Sequence, residues 1–120
     1  MKILLAEDDL SIRTIAKLTL QKVGGHDVTG VEDGDQALEK ARTEKFDLII
    51  LDGMMPRLDG FETCKQLKAD EQTKDIPVIF MTAKVQKQEV EAYLRMGALG
   101  VITKPFNPLT IAQDISFMVE

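Results

Sequence analysis

Three carboxylates, a hydroxyl and an amine each follow a short apolar run in this chain of 120 residues. Glu7 and Asp8 follow Ile3-Leu4-Leu5-Ala6, and Asp52 follows Leu48-Ile49-Ile50-Leu51. Thr82 follows Val78-Ile79-Phe80-Met81, and Lys104 comes just after Val101-Ile102. Clustered carboxylates repel, and one of them must hold its proton more tightly unless a cation intervenes. Mg2+ suits such a set, because it takes oxygen ligands and commonly bridges one or two carboxylates to a phosphate. Asp52 is then a candidate nucleophile, since carboxylates form acyl phosphates. Thr82 and Lys104 would hydrogen-bond and neutralise the phosphoryl oxygens as charge develops. Taken singly, each residue has a plainer reading. An acidic run before a helix caps it and offsets its dipole, a lone Asp after a strand turns the chain, Thr82 caps a helix, and Lys104 is solvated. Those readings weaken because all four places fall at the same end of consecutive apolar runs.

The elements that must position these residues are legible in the pattern. Apolar runs too short for helices, without polar alternation, read as strands buried on both faces of a parallel sheet. Asp27 to Val31 alternates instead and fits an edge strand. Between the runs lie helical stripes: Ile12, Ile15, Ala16, Thr19 and Val23, stopped by Gly24-Gly25; Ala37, Leu38 and Ala41, capped by Asp33 or Asp35; Phe61, Cys64 and Leu67 after Asp59-Gly60; Val90, Tyr93, Leu94 and Met96, ended by Gly97; and Ile111, Ile115, Met118 and Val119, with Pro108 near the start. The reading is β-α five times over. Right-handed crossovers then set helices on both faces of a doubly wound α/β sheet. In such a sheet ligands bind outside the carboxyl ends of the strands, which is where the five polar groups fall.

Composition bounds the partners. Lys plus Arg is 15 and Asp plus Glu is 20, giving a net charge of −5. That field disfavours nucleic acid and anionic membrane surfaces. A single cysteine, Cys64, excludes an internal disulfide. No apolar run approaches the ~20 residues of a membrane span, and the first one ends at Glu7, too soon for a secretory signal. A cytoplasmic protein with no direct nucleic-acid or membrane contact is expected.

At this point the chain resembles the receiver domain of two-component response regulators, in the manner of the chemotaxis regulators, over essentially residues 1–120. The resemblance rests on Ile3-Leu4-Leu5-Ala6-Glu7-Asp8-Asp9 with Ile12-Arg13, on Asp33-Gly34 before Ala37-Leu38, and on Asp47 through Pro56 leading to Asp59-Gly60. It continues with Ile76-Pro77-Val78-Ile79, Met81-Thr82-Ala83, Gly97-Ala98 and Lys104-Pro105-Phe106. Each motif alone is weak, and their order on the right elements is specific. The resemblance implies a flavodoxin-like sheet in the order 2-1-3-4-5 flanked by five helices. It implies that Asp52 is the phosphoacceptor, assisted by Thr82 and Lys104. It implies a Mg2+ site of Asp8 and Asp52, with Glu7 acting through water and the Met54 backbone carbonyl as a further ligand, and a cis Lys104-Pro105 bond. The expected donor is a phosphohistidine on a histidine kinase or histidine phosphotransfer protein. The expected output is a shift between two conformations that changes affinity for a downstream protein. Such a domain is not a conventional enzyme, although it assists its own phosphorylation and dephosphorylation.

Two departures bear on mechanism. The family often has an aromatic residue three positions before the lysine, and this chain has Val101, so the usual inward turn of that aromatic cannot run here. The sequence also stops at Glu120, just after the fifth helix, which the resemblance reads as a stand-alone receiver or a piece of a longer chain. The resemblance gives Met54 and Lys84 the two places that tune hydrolysis. An apolar Met54 cannot orient water, so a long-lived acyl phosphate is expected. Other residues are given bland roles: His26 at a strand start, Cys64 as a buried thiol, Tyr93 at the edge of the fourth helix, Arg13 paired with local acids, and Phe106 in the core or at a partner face. Competing functions are a degenerate receiver that only binds proteins, a Mg2+-dependent phosphohydrolase and a flavin carrier. Phosphohydrolases of the haloacid dehalogenase type need a second Asp where Met54 stands. A flavin phosphate would be repelled by Glu7-Asp8-Asp9.

Overall fold

Each apolar run does form a strand, because four or five consecutive apolar side chains can be buried only if both faces of the sheet are covered. The structure, a computed structural model, describes residues 1–83 and 86–119. Elements alternate as β1 (Lys2–Ala6), α1 (Leu10–Gly24), β2 (Asp27–Val31), α2 (Gly34–Thr43), β3 (Leu48–Leu51), α3 (Gly60–Ala69), β4 (Val78–Thr82), α4 (Lys87–Arg95), β5 (Gly100–Thr103) and α5 (Ile111–Val119). The five strands are parallel in the order β2-β1-β3-β4-β5, the order the resemblance implied. The alternating strand is an edge strand, as expected from its weaker apolar run.

Side chains of alternate parity feed two layers. Ile3, Leu5, Leu48, Ile50, Ile79 and Met81 pack with Ala16 and Leu20 of α1 and with Ile111 and Ile115 of α5. Leu4, Ala6, Ile49, Leu51, Val78 and Phe80 pack with α2, α3 and Tyr93 of α4. Each large side chain buried in this way contributes roughly 1.5–3 kcal/mol. Cys64 lies fully inside the second layer, and burial pushes its thiol up to about 11, so it is an inert filler. Phe106 is half-buried against the α1–α5 layer.

The helix starts are set by aspartates, which accept the otherwise unpaired first N–H groups. Asp9 accepts from Ile12 at 3.0 Å, Asp33 from Gln36 at 2.9 Å and Asp59 from Glu62 at 2.8 Å. Asp33, not Asp35, is therefore the cap of α2. At the far end of α1, Gly25 takes a left-handed φ of 66°, a conformation glycine adopts without a steric penalty. Among the described residues no helix is long and apolar enough to cross a membrane.

Candidate functional site

Parallel pairing brings the strand ends into line, so residues remote in sequence meet at one rim. Ala6 lies opposite Leu51 and Thr82 opposite Thr103. The next residue on β3 keeps the ladder going, with Asp52 N–H donating to the Ala6 carbonyl at 3.0 Å. Lys104 N–H likewise donates to the Thr82 carbonyl at 3.0 Å. Glu7, Asp52 and Lys104 thus leave the sheet side by side. Glu7 is fully buried and Asp52 is 3% exposed, while Asp8, the next residue after Glu7, is exposed. The three acids each present an oxygen within 4.8 Å of the others.

One cation ties this cluster together. Lys104 Nζ donates to Glu7 Oε1 at 2.6 Å and to Asp52 Oδ2 at 2.9 Å. Burial alone would lower the lysine's pKa, but its bonds to Glu7 and Asp52 outweigh that, and the net shift is upward. The other Asp52 oxygen, Oδ1, accepts from the Met54 N–H at 3.1 Å. Glu7 is less well served. Its Oε2 is buried and accepts no hydrogen bond from the described residues. Desolvation first, and the facing Asp52 carboxylate second, push its pKa up to about 8. Burial and the facing carboxylate both favour the protonated form of Glu7 over the bare anion.

A cation bound beside these acids would offset their repulsion and give the buried Glu7 Oε2 a partner. The donor set of Glu7, Asp8, Asp52 and the Met54 carbonyl consists of hard oxygens alone, and it fits Mg2+ rather than a thiolate- or imidazole-seeking metal. Asp8 and Met54, with Gly53, Met55, Pro56 and Asp59, line an open cleft of about 530 Å3 beside the acids. Asp9 is withdrawn from the cluster by its capping bond to α1. Arg13 braces the turn, donating to the Glu7 carbonyl at 2.6 Å and lying 4.0 Å from Glu32.

The raised Glu7 pKa carries a stability prediction. A carboxyl whose folded pKa lies above its usual 4.5 stabilises the fold fully at low pH and loses that contribution as pH rises through the folded value. With EDTA present, Tm is expected to fall between pH 4.5 and about 8, relative to Glu7→Gln. The Tm gained on adding Mg2+ should grow across the same window. Thermal melts at four or five pH values check this, and equal slopes for the two proteins would refute it.

Thr82 and Tyr93 complete the rim from the other side. Thr82 is buried at the end of β4, and its side chain hydrogen-bonds the Tyr93 hydroxyl. Both hydroxyls crowd over Gly53, the residue after Asp52: a Cβ there would run into Tyr93 Oη and come within 2.9 Å of Thr82 Oγ1. Gly60 allows a second close approach, because a Cβ on it would strike the Asp52 backbone carbonyl. The expectation that Tyr93 sits at the edge of its helix is overturned. The ring is 5% exposed and stacks on Phe80 with centroids 4.0 Å apart. Its place on the apolar stripe with Val90 was the signal that it turns inward. Burial first raises its pKa, and the Thr82 bond opposes that rise.

The remaining sequence-chosen residues fall as follows. The Lys104-Pro105 bond is cis. Met54 is 58% exposed at the mouth of the cleft. His26 precedes β2, at the opposite end of the sheet from the acids. Lys84 lies outside the described residues.

Residues 3–116 match the family model of the response regulator receiver domain. The alkaline phosphatase synthesis transcriptional regulatory protein PhoP of Bacillus subtilis is 45% identical over 107 residues, which are 89% of this chain and 43% of PhoP. Against the first curated relatives the chain spans about half their length, 43% and 51%. Among solved structures, the chemotaxis response regulator CheY4 of Vibrio cholerae superposes with a TM-score of 0.90 at 35% identity, covering 98% of this chain and 97% of that one. The receiver domain of a sensor histidine kinase of Pseudomonas aeruginosa, solved with a magnesium ion coordinated in its active-site cleft, gives 0.87 at 30% identity, covering 98% and 96%.

Proposed function

The chain belongs to the response regulator receiver domain family of two-component signalling, and from that premise we propose that it accepts a phosphoryl group on Asp52 with the help of Mg2+. A domain of this family is a signalling element rather than a conventional enzyme. The observation that carries the proposal is the buried triad in which Lys104 Nζ bonds both Glu7 Oε1 and Asp52 Oδ2 while Glu7 Oε2 stays unsatisfied. A fold with only a structural need at this rim would have no reason to bury two facing carboxylates beside a third, since that is expensive.

Each group has a job in this reading. Asp52 Oδ1 or Oδ2 attacks the phosphorus, and the bond from phosphorus to its former carrier breaks, giving an acyl phosphate. The Met54 N–H holds Oδ1 and so fixes the carboxylate plane. Lys104 lies within reach of both acids and follows the charge onto the phosphoryl oxygens. The Thr82 hydroxyl, over Gly53, supplies a second donor. Glu7, Asp8, Asp52 and the Met54 carbonyl would hold Mg2+, as the cleft of the Pseudomonas receiver holds its magnesium ion; the ion supplies positive charge for the phosphoryl oxygens. The donor is a phosphohistidine on a histidine kinase or phosphotransfer protein, the recipient of the signal is a downstream protein, and the setting is the cytoplasm.

Incubation with acetyl phosphate, with Mg2+ or with EDTA, followed by intact-mass measurement, tests this. A single phosphate adduct that needs Mg2+ is expected. Its absence would leave a receiver that works only by binding other proteins.

Met54 sets the lifetime of the product. Its apolar side chain stands exposed at the cleft mouth and offers no strong hydrogen bond to an attacking water. Met54→Asn is expected to shorten the adduct's half-life several-fold, as one ordinary hydrogen bond to the water would allow. An unchanged or longer half-life, followed by mass after the phosphodonor is removed, counts against the role.

A further inference from the structure

The loop between β3 and α3 carries the Met54 carbonyl, and it also holds a strained residue. Arg57 has a φ of 68°, the one non-glycine residue with a positive φ among those described. It sits at the centre of a three-residue turn, closed by the Leu58 N–H donating to the Pro56 carbonyl at 2.8 Å. A γ-turn of positive φ is strained, and glycine would hold it at lower cost. What arginine adds is its side chain. Nη1 donates to Asp33 Oδ2 at 3.4 Å, in an ion pair whose acid is 5% exposed and whose guanidinium is 72% exposed. The other oxygen of Asp33 caps α2. Beside this pair the two elements touch directly: a Cβ on Gly34 would collide with Thr63 Oγ1 and come within 2.6 Å of the Leu58 carbonyl. The preceding acid, Glu32, lies 4.0 Å from Arg13, and Arg13 donates to the Glu7 carbonyl. The corner between β2 and α2 therefore grips both turns that bear the proposed Mg2+ ligands, one arginine to each.

We propose that the Arg57–Asp33 pair is a brace that fixes the loop of residues 53–59 so that its Met54 carbonyl stands ready for Mg2+. Arg57 is then a positioning residue that touches neither the metal nor phosphorus. The strain at its backbone is kept because a long cationic side chain leaving that turn reaches Asp33, which glycine cannot do. A loop fixed before the ion arrives gives up less freedom on binding it, so affinity rises. The coupling is reciprocal: Mg2+ on the loop tightens the pair, and the start of α2 is held more firmly when the ion is bound. Charge alone would act in the opposite direction. Arg57 is a cation three positions from Met54, so its field repels Mg2+, and removing it would strengthen binding. The brace and the field therefore differ in sign. Mg2+ binding at Glu7, Asp8 and Asp52, as proposed above, is the premise.

Mg2+ affinity, taken from the rise in Tm with Mg2+ over EDTA, is compared for the parent, Arg57→Gly, Arg57→Lys, Asp33→Asn and the double variant Arg57→Gly with Asp33→Asn. Asp33→Asn keeps a side-chain oxygen for the α2 cap and removes the charge. In EDTA, Arg57→Gly should melt level with the parent or above it, because the turn is relieved. It should nevertheless bind Mg2+ roughly two- to fivefold more weakly, the worth of a part-exposed ion pair. Asp33→Asn should lose about as much, and the double variant no more than either single, since both remove the same contact. Arg57→Lys, which keeps the charge, should stay close to the parent. Unchanged or tighter Mg2+ binding in Arg57→Gly overturns the brace and leaves the Mg2+ site standing. A double variant that loses the sum of the two singles overturns it as well. A parent whose Tm does not respond to Mg2+ overturns the Mg2+ site and the brace together.

Discussion

Asp52→Asn is expected to abolish the phosphate adduct completely while leaving the fold intact. An amide oxygen cannot carry a stable acyl phosphate, so the chemical loss is total rather than partial. The structural effect has the opposite sign. Asp52 is 3% exposed and faces Glu7, whose pKa it helps to push up. The variant removes one buried negative charge and gives Glu7 Oε2, stranded in the parent, an N–H donor of the right size. Lys104 then pairs with Glu7 alone. With EDTA, Tm should stay level or rise. Affinity for Mg2+ should fall, because one charged oxygen ligand becomes a neutral one. Intact mass, thermal melts and a Mg2+ titration read the three effects separately. An adduct that still forms at the parental rate would place the phosphoacceptor elsewhere and remove the basis of the proposed function.

Lys104→Met should slow phosphoryl transfer by about 10²–10³-fold, the usual consequence of deleting one preorganised donor to developing negative charge. The side chains are nearly the same length, so the substitution removes charge and hydrogen bonds more than volume. Both lost bonds are short, 2.6 Å to Glu7 and 2.9 Å to Asp52. Their loss leaves two facing carboxylates with no ammonium beside them, which favours the protonated form of Glu7 further. Mg2+ should nevertheless bind more tightly above pH 8, because the competing ammonium is gone. The two effects oppose each other, and the rate is expected to fall because the donor is needed when charge moves onto the phosphoryl oxygens. This pattern of slower transfer with tighter Mg2+ binding separates a chemical role from a structural one. A lysine that only held the fold would, on removal, lower Tm and weaken both. A transfer rate within tenfold of the parent, measured by adduct growth at saturating Mg2+, would show that Lys104 is not a catalytic residue.

The apolar runs Ile3 to Ala6, Leu48 to Leu51 and Val78 to Met81 determined the parallel sheet by themselves, since side chains with no polar alternation leave no face for water. Topology then required Glu7, Asp52, Thr82 and Lys104 to share a rim, because all strands of a parallel sheet end on the same side. The helix starts at Asp9, Asp33 and Asp59 were equally local, a matter of one side chain and the N–H groups that follow it. Three things were decided only by tertiary structure. Lys104 could have been solvated, and it is drawn inward because two buried acids from β1 and β3 lie within its reach. Glu7 carries an unusual proton because desolvation depends on everything packed above it, which no spacing records. Tyr93 turns in from α4 because Gly53 and Phe80, 40 and 13 positions away, leave a slot of its shape. Strand, helix and cap follow from neighbours along the chain, whereas charge state, ion pairing and the reach of a buried hydroxyl follow from neighbours in space.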